Sequence, residues 1–263
     1  MPITRTIWKN QFTADRIPAW TCPSCHKGIL VGDKNCIKPI EDVNSINAHS
    51  HDQWEPNWIT GSFGGVLKCN NPNCCEKVVF IGKMHVEENR NFDEEMGEWD
   101  FTDVENFTAI AFCPPLHLFP VHKDLPKKIA YEIVESFKLY WMDVSSCANK
   151  IRIVVELIMD EHKVAKTFIN KTKRKGYSLH QRIELFKGKM RDEAELLMAI
   201  KWIGNSGSHV NESLTKDDIL DAYEILDHVT VKLFEKDSLR LKRLSKTINK
   251  SRKPIGRKRI QKK

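Results

Sequence analysis

The apolar residues change period near position 126, and that change divides the chain. From Pro126 onward they recur every three or four residues. Ile129, Ile133, Phe137 and Tyr140 make one stripe, and Cys147, Ile151, Val154 and Ile158 a second. Leu196, Ile200 and Ile203 make a third; Ile219, Ala222, Leu226, Val229 and Leu233 make the cleanest. Such spacing places one apolar face along an amphipathic helix. Thr215-Lys216-Asp217-Asp218 has the form of a helix start, a hydroxyl cap with acids in the first turn. Gly204-Asn205 reads as the stop of the helix before it. Residues 126–236 are therefore expected to form a bundle of about four or five helices.

Residues 1–115 show no helical period and read as loops and short strands. Trp58 to Lys68 and Cys75 to Lys83 have strand composition on either side of an Asn-rich turn. Residues 87–105 hold nine Asp/Glu against Arg90 alone, which reads as a solvated loop. Prolines in Phe112-Cys113-Pro114-Pro115 and Phe119-Pro120 exclude helix and mark an extended linker. The expected class is α+β, a small β lobe followed by a helical bundle.

Cysteine spacing gives the first lobe a reason to fold. Cys22-Pro23-Ser24-Cys25 is a CxxC turn, and Cys69-Asn70-Asn71-Pro72-Asn73-Cys74 offers a second, wider pair. Two such turns supply the four soft ligands of a tetrahedral Zn²⁺ site, a zinc-ribbon-like arrangement. The wider turn favours Cys74 as fourth ligand; Cys75, Cys36 and His26 are the alternatives. With all four positions filled by protein, the metal is structural. Its apparent binding free energy, on the order of 10 kcal/mol, can supply much of the lobe's folding energy. The 43 residues between Cys25 and Cys69 imply an inserted loop carrying Trp54 and Trp58.

Composition narrows the setting. The 263 residues suit one large or two modest domains, and 41% hydrophobic residues suffice for a core. No apolar run reaches the roughly eighteen residues of a membrane span, and no apolar stretch follows Met1-Pro2-Ile3-Thr4-Arg5. Eight cysteines without a secretory signal point to a reduced compartment, and the expectation is a cytoplasmic protein. The net charge of +7 is uneven: Lys236–Lys263 holds thirteen Lys/Arg and one Asp, or +12, so the remainder sums to −5. A tail of that kind suits nucleic acid, through Arg252, Lys253, Arg257, Lys258 and Arg259. It lacks interleaved aromatics, so contact is expected to be sequence-blind.

Two further groups invite a chemical reading. In Lys201-Trp202-Ile203-Gly204-Asn205-Ser206-Gly207-Ser208-His209, a histidine follows a helix end beside Asn, Ser and Gly. The simpler reading is a cap that hydrogen-bonds backbone. Arg152 and Glu156, four apart, read first as an ion pair on one helix face, and second as an arginine aimed at phosphate. No phosphate-cradling Gly loop, nucleophile elbow or paired-His metalloprotease helix is present in the sequence.

In order, these elements are the knuckle pair, the Cys113-Pro114-Pro115 linker, Leu125-Pro126, the helix with Arg152 and Glu156, and Gly204 to His209. That order resembles the domain-of-unknown-function 4145 family, over about 110–236. The resemblance implies a HEPN-like helical bundle, often with an N-terminal zinc knuckle and sometimes appended to restriction endonuclease subunits. HEPN ribonucleases use an Arg, often followed by Asn, and a His four to six residues on. Asn205 and His209 match that string, Gly204 stands where its Arg would, and Lys201 is the nearest upstream base. The resemblance thus implies His209, Asn205, Lys201 and Arg152 as the catalytic set if the chain is a ribonuclease.

The expected organisation is a zinc-ribbon-like lobe over 1–115, a HEPN-like bundle over 116–238 and a basic tail over 239–263. The leading expectation is a non-catalytic, nucleic-acid-associated or complex-forming module of a prokaryotic defence or restriction system. A metal-independent endoribonuclease using His209 is the alternative, and a protein-interaction scaffold the third. Expected partners are RNA or DNA, a partner protein of a defence complex and, by analogy with HEPN bundles, a second copy of the chain; no membrane is involved.

Overall fold

The computed structural model describes residues 3–9, 11–33, 35–93, 97–171, 173–206 and 214–252. It is α+β, with a curled antiparallel sheet followed by helices. A one-turn helix, α1 (Thr6–Lys9), precedes the sheet. Strands β1 (Leu30–Val31) and β2 (Ile37–Glu41) both pair with one edge of β3 (Thr60–Cys69). Between β2 and β3 lie α2 (Val43–Ala48) and a 3₁₀ turn over Pro56–Trp58, so the insert expected to hold Trp54 and Trp58 is partly helical. β3 pairs with β4 (Lys77–Asp93), and β4 with β5 (Glu98–Cys113).

Alternation along these strands builds the first core. Phe63 and Leu67 of β3, Val78, Phe80 and Met84 of β4, and Phe107, Ala109 and Phe112 of β5 all point inward. Trp20 meets Phe112 edge-on at 4.9 Å, and Phe63 meets Phe80 at 5.2 Å. Such pairs add specific geometry to the burial of large rings.

The described parts of the acidic stretch 87–105 are mostly strand. β4 and β5 stay paired from Val79/Cys113 out to Asp93/Glu98, so Glu87, Glu88, Asp100, Asp103 and Glu105 lie on a two-stranded ribbon. Beyond Val86 the ribbon leaves the core, and Glu87 to Arg90 on one strand and Trp99 to Asp103 on the other are exposed. The sequence hid these strands because neither face of the ribbon is buried there.

The second lobe holds α3 (Lys127–Met142), α4 (Val144–Glu161), α5 (Leu179–Lys187), α6 (Arg191–Ser206) and α7 (Lys216–Phe234). Between α4 and α5 sits an unforeseen hairpin, β6 (Thr167–Asn170) and β7 (Lys173–Gly176). The expected start at Thr215 is observed: its hydroxyl accepts from the Asp218 N–H, and Asp218 accepts from the Thr215 N–H, a capping box. α4 lies at the centre, packed on α3, α6 and α7 through Ile151, Val154, Val155 and Ile158. The basic segment, expected as a tail, begins as a helix, α8 (Lys236–Ser251).

The two lobes share a seam. Trp141 of α3 packs on Phe112 at 4.7 Å and on Trp8 and Trp20 at 6.0 and 6.1 Å. The Tyr140 hydroxyl donates to the Trp8 carbonyl at 3.3 Å, and Arg5 is paired with Asp217, Asp221 and Glu224. Among the described residues no helix is long and apolar enough to cross a membrane.

Candidate functional site

The four sequence-selected cysteines converge. The Sγ atoms of Cys22, Cys25, Cys69 and Cys74 all lie within 4.8 Å of one another. Cys22 and Cys74 are 3.8 Å apart, and Cys25 and Cys69 3.7 Å. A tetrahedron with metal–sulfur bonds of about 2.3 Å has edges of about 3.8 Å, so these separations fit an ion at the centre. They are far too long for a disulfide, near 2.05 Å.

Local chain geometry makes the cluster. The first turn is closed by His26 N–H donating to the Cys22 carbonyl at 3.0 Å; the second by Cys75 N–H donating to the Asn71 carbonyl at 3.1 Å. His26 and Cys75, each just past a ligand, share a left-handed φ of 53°. β3 delivers Cys69 at its last residue, and the Thr21–Ile29 bridge holds the first turn alongside it. Gly28 is required by close approach: a Cβ there would stand 2.5 Å from the Cys69 sulfur. Its N–H donates to Cys25 Sγ at 3.4 Å, and the Asn71 N–H to Cys69 Sγ at 3.4 Å. Donors from Gly28 and Lys27 pull the Cys25 thiol down to about 6, whereas burial pushes Cys69 up to about 12. The Cys25 thiolate is thus favoured near neutrality, and an arriving cation would have to draw the proton off Cys69.

The alternative fourth ligands lie elsewhere. The Cys75 thiol turns to the carbonyls of Pro72 and Asn71, at 3.4 and 3.8 Å. Cys36 packs over Gly32, outside the cluster. His26 rests on the ring of His117, 4.9 Å away, at the wall of an inter-lobe cleft of about 470 Å³. Sequence reasoning missed His117, whose pKa burial lowers to about 4 and whose buried Nδ1 has no hydrogen-bond partner among the described residues.

The helical constellation is partly assembled. Arg152 Nη1 donates to Asn205 Oδ1 at 3.4 Å, joining α4 to α6. Gly204 permits this approach, since a Cβ there would sit 3.3 Å from the Arg152 Cβ. The expected ion pair is present, with Glu156 Oε1 3.8 Å from Arg152 Nε, too far for a hydrogen bond; among the described residues that buried nitrogen has no hydrogen-bond partner. Lys201 is buried, with its ammonium 3.3 Å from the centre of the Trp202 ring. Burial, and then the charge of Arg152, hold its pKa below the ordinary lysine range. His209 lies outside the described residues. Of the tail bases, Arg252 closes α8 in a left-handed conformation (φ 49°), while Lys253, Arg257, Lys258 and Arg259 lie outside the described residues.

Fold and site together define a two-lobe α+β protein whose sheet ends in a four-cysteine cluster able to hold a metal ion. The family model described as Domain of unknown function (DUF8608) matches residues 10–112, which contain all four cysteines. The model described as Domain of unknown function (DUF4145) matches residues 134–253, from within α3 to the end of α8. No curated protein and no solved structure matches the chain.

Proposed function

We propose that this protein is a zinc-stapled, non-catalytic module that holds nucleic acid without reading its sequence, as part of a prokaryotic defence or restriction assembly. Zinc suits the cluster because four thiolates in a closed tetrahedron leave no open position, and Zn²⁺ has no redox chemistry to disturb them. The resemblance to the 4145 family motivates the setting.

The observation that supports nucleic-acid contact best is α8. Arg243, Lys246 and Lys250 fall at helical spacing on one face, all exposed. No Asp or Glu stands between residues 238 and 263 to neutralise them. The match of residues 134–253 to one family model supports treating this helix as part of the domain and not as an appendage.

Phosphate neutralisation releases counterions, so binding to a labelled duplex should fall about a thousandfold between 50 and 200 mM salt if roughly six phosphates are contacted. Deleting 240–263 should flatten that dependence. Unchanged binding by the truncated chain would remove the reading.

A ribonuclease is the second reading, favoured by the Arg152–Asn205 contact beside a buried Lys201. Such an enzyme needs a base for the 2′-hydroxyl and a cation for the developing phosphorane. His209 would be the base and Arg152 or Lys201 the cation. Growth and RNA integrity in cells expressing wild type or His209→Ala separate the readings: toxicity lost with the histidine supports the enzyme, and intact RNA in both removes it.

A further inference from the structure

We propose that the β6–β7 hairpin is a second cationic prong which, with α8, grips the sugar–phosphate backbone of a nucleic-acid duplex. The inference deepens the nucleic-acid reading and rests on it. Nothing in the sequence patterning marked this hairpin, since its charges sit in no helical stripe and no terminal run.

Its composition is one-sided. No acid lies between Glu161 and Glu184, while Lys163, Lys166, Lys171, Lys173, Arg174, Lys175 and Arg182 all fall there. Within the hairpin, Lys171, Lys173, Arg174 and Lys175 are exposed. Two of the seven charges have local work: Lys166 pairs with Asp160 at 2.7 Å, and Arg182 with the same carboxylate at 2.6 Å. Arg174 Nε donates to Thr167 Oγ1 at 3.1 Å, which orients the guanidinium and leaves its charge intact. Lys173 and Lys175 share one face of the hairpin, and Arg174 the other. The cross-strand partners of Lys173, Arg174 and Lys175 are Asn170, Ile169 and Phe168, none of them charged, and a two-stranded hairpin is marginal to begin with. Among the described residues no carboxylate pairs with Lys171, Lys173, Arg174 or Lys175, so the arrangement suits an anion.

A simpler role for bases here is to satisfy helix C-termini, where the dipole is negative. That accounts for Lys163, just past α4, and for Lys187 and Lys189 at the end of α5. It does not account for Lys171 to Lys175, because the dipole's influence fades within a turn.

The hairpin and α8 are also neighbours in origin. The ring of His162, the C-cap of α4, packs 5.5 Å from Phe234 at the end of α7 and 5.1 Å from Phe186 of α5. The hairpin starts five residues after His162, and α8 two residues after Phe234. Both cationic elements therefore leave the same end of the bundle. The aromatics at the hairpin's base, Phe168 and Tyr177 just after β7, pack on each other with ring centres 4.6 Å apart and planes tilted by 30°. They are engaged with one another and do not present a stacking platform, which favours backbone contact to a duplex over single-strand stacking.

The test uses the full chain with zinc and a fluorescein-labelled duplex of about 20 base pairs, in DNA and RNA forms. Anisotropy is followed from 50 to 200 mM salt. Replacing Lys171, Lys173, Arg174 and Lys175 with Gln should weaken binding at least tenfold at 100 mM. It should also lower the log–log salt slope by about one for each phosphate that is no longer neutralised. The same charge removed from the sheet, by Lys38→Gln, Lys68→Gln, Lys77→Gln and Lys83→Gln, should leave the slope unchanged. Lys173→Glu alone is a second variant, expected to weaken binding by repulsion with the hairpin otherwise intact. A hairpin variant with the wild-type slope, when deletion of 240–263 abolishes binding, overturns this inference and leaves the broader reading standing. Wild type that ignores both duplexes at 50 mM overturns both. Tighter, hairpin-dependent binding to phosphatidylserine vesicles than to either duplex would assign the prong to a lipid surface and overturn the proposal.

Discussion

Removing the metal we propose for the four-cysteine cluster, or replacing Cys69 with Ser, should strip the first lobe of most of its stability while α3 to α7 stay folded. Cys22 and Cys69 are almost fully buried, and the four sulfurs stand edge to edge at 3.7 and 3.8 Å. Without a cation, thiolates at that spacing repel, and protonated thiols are left with weak S–H···S contacts only. Structural zinc in small domains contributes about 10–16 kcal/mol in apparent terms, against whole-domain stabilities of about 5–15 kcal/mol. The aromatic core around Trp20, Phe63, Phe80 and Phe112 offsets part of that loss. The net effect should still be several kcal/mol, a fall of more than about 10 °C in the lobe's melting temperature. Far-UV circular dichroism should keep its helical signal while tryptophan emission shifts red, since Trp20 loses its setting between the sheet and Trp141. Cys75→Ser is the control, because that thiol faces backbone carbonyls and should leave metal content at one per chain. A metal-free chain melting within a few degrees of the loaded one would show that the cluster does not staple the lobe.

The parts of this fold that were legible in sequence share a physical property: their signal is local. CxxC spacing fixes the first two ligands of the cluster. The Thr215–Asp218 capping box follows from four consecutive residues. The stripes of α3, α4 and α7 register burial directly, because each of those helices turns one face to a common core. What escaped was either long-range or unburied. The distal ribbon of β4 and β5 buries neither face: Glu87 to Arg90 are polar, and Trp99 and Phe101, though they alternate with Asp100 and Thr102, stay exposed, so a high acid count hid the strands. The β6–β7 hairpin has no buried face and no glycine at its tip, where Lys171 takes a φ of 56°. α8 was masked by its charge, though Leu241, Leu244 and Ile248 repeat at helical spacing opposite the bases. The Arg152–Asn205 contact joins residues 53 apart, and only packing of α4 on α6 can create it.

The same distinction explains the second large effect, which no local pattern announces. Asp160→Ala should cost about 3–5 kcal/mol, the typical penalty for stranding a buried charge. Arg182 has 8% of its side chain exposed, and its Nη2 relies on Asp160 Oδ1 at 2.6 Å and the Val164 carbonyl at 3.2 Å. Among the described residues its buried Nε has no hydrogen-bond partner, so the loss of Asp160 would leave a second guanidinium nitrogen with the Val164 carbonyl alone. Burial alone would raise the Asp160 pKa, but hydrogen bonds from Lys166 and Arg182 outweigh it and hold the carboxyl below its usual range. A depressed folded pKa means that the pair's stability is present above the unfolded value of about 3.9 and is lost as pH falls through the folded one. The gap between wild type and Asp160→Ala, measured by urea unfolding, should therefore be full at pH 7 and narrow below pH 4. Replacing both partners, Asp160→Leu with Arg182→Met, should recover most of the loss, because no charge then remains buried. The Val164 bond also pins the backbone three residues before β6, so Asp160→Ala should speed amide exchange across the hairpin more than across α6. An Asp160→Ala protein within about 1 kcal/mol of wild type at pH 7 would mean that Arg182 finds water, and that the hairpin's anchor lies elsewhere.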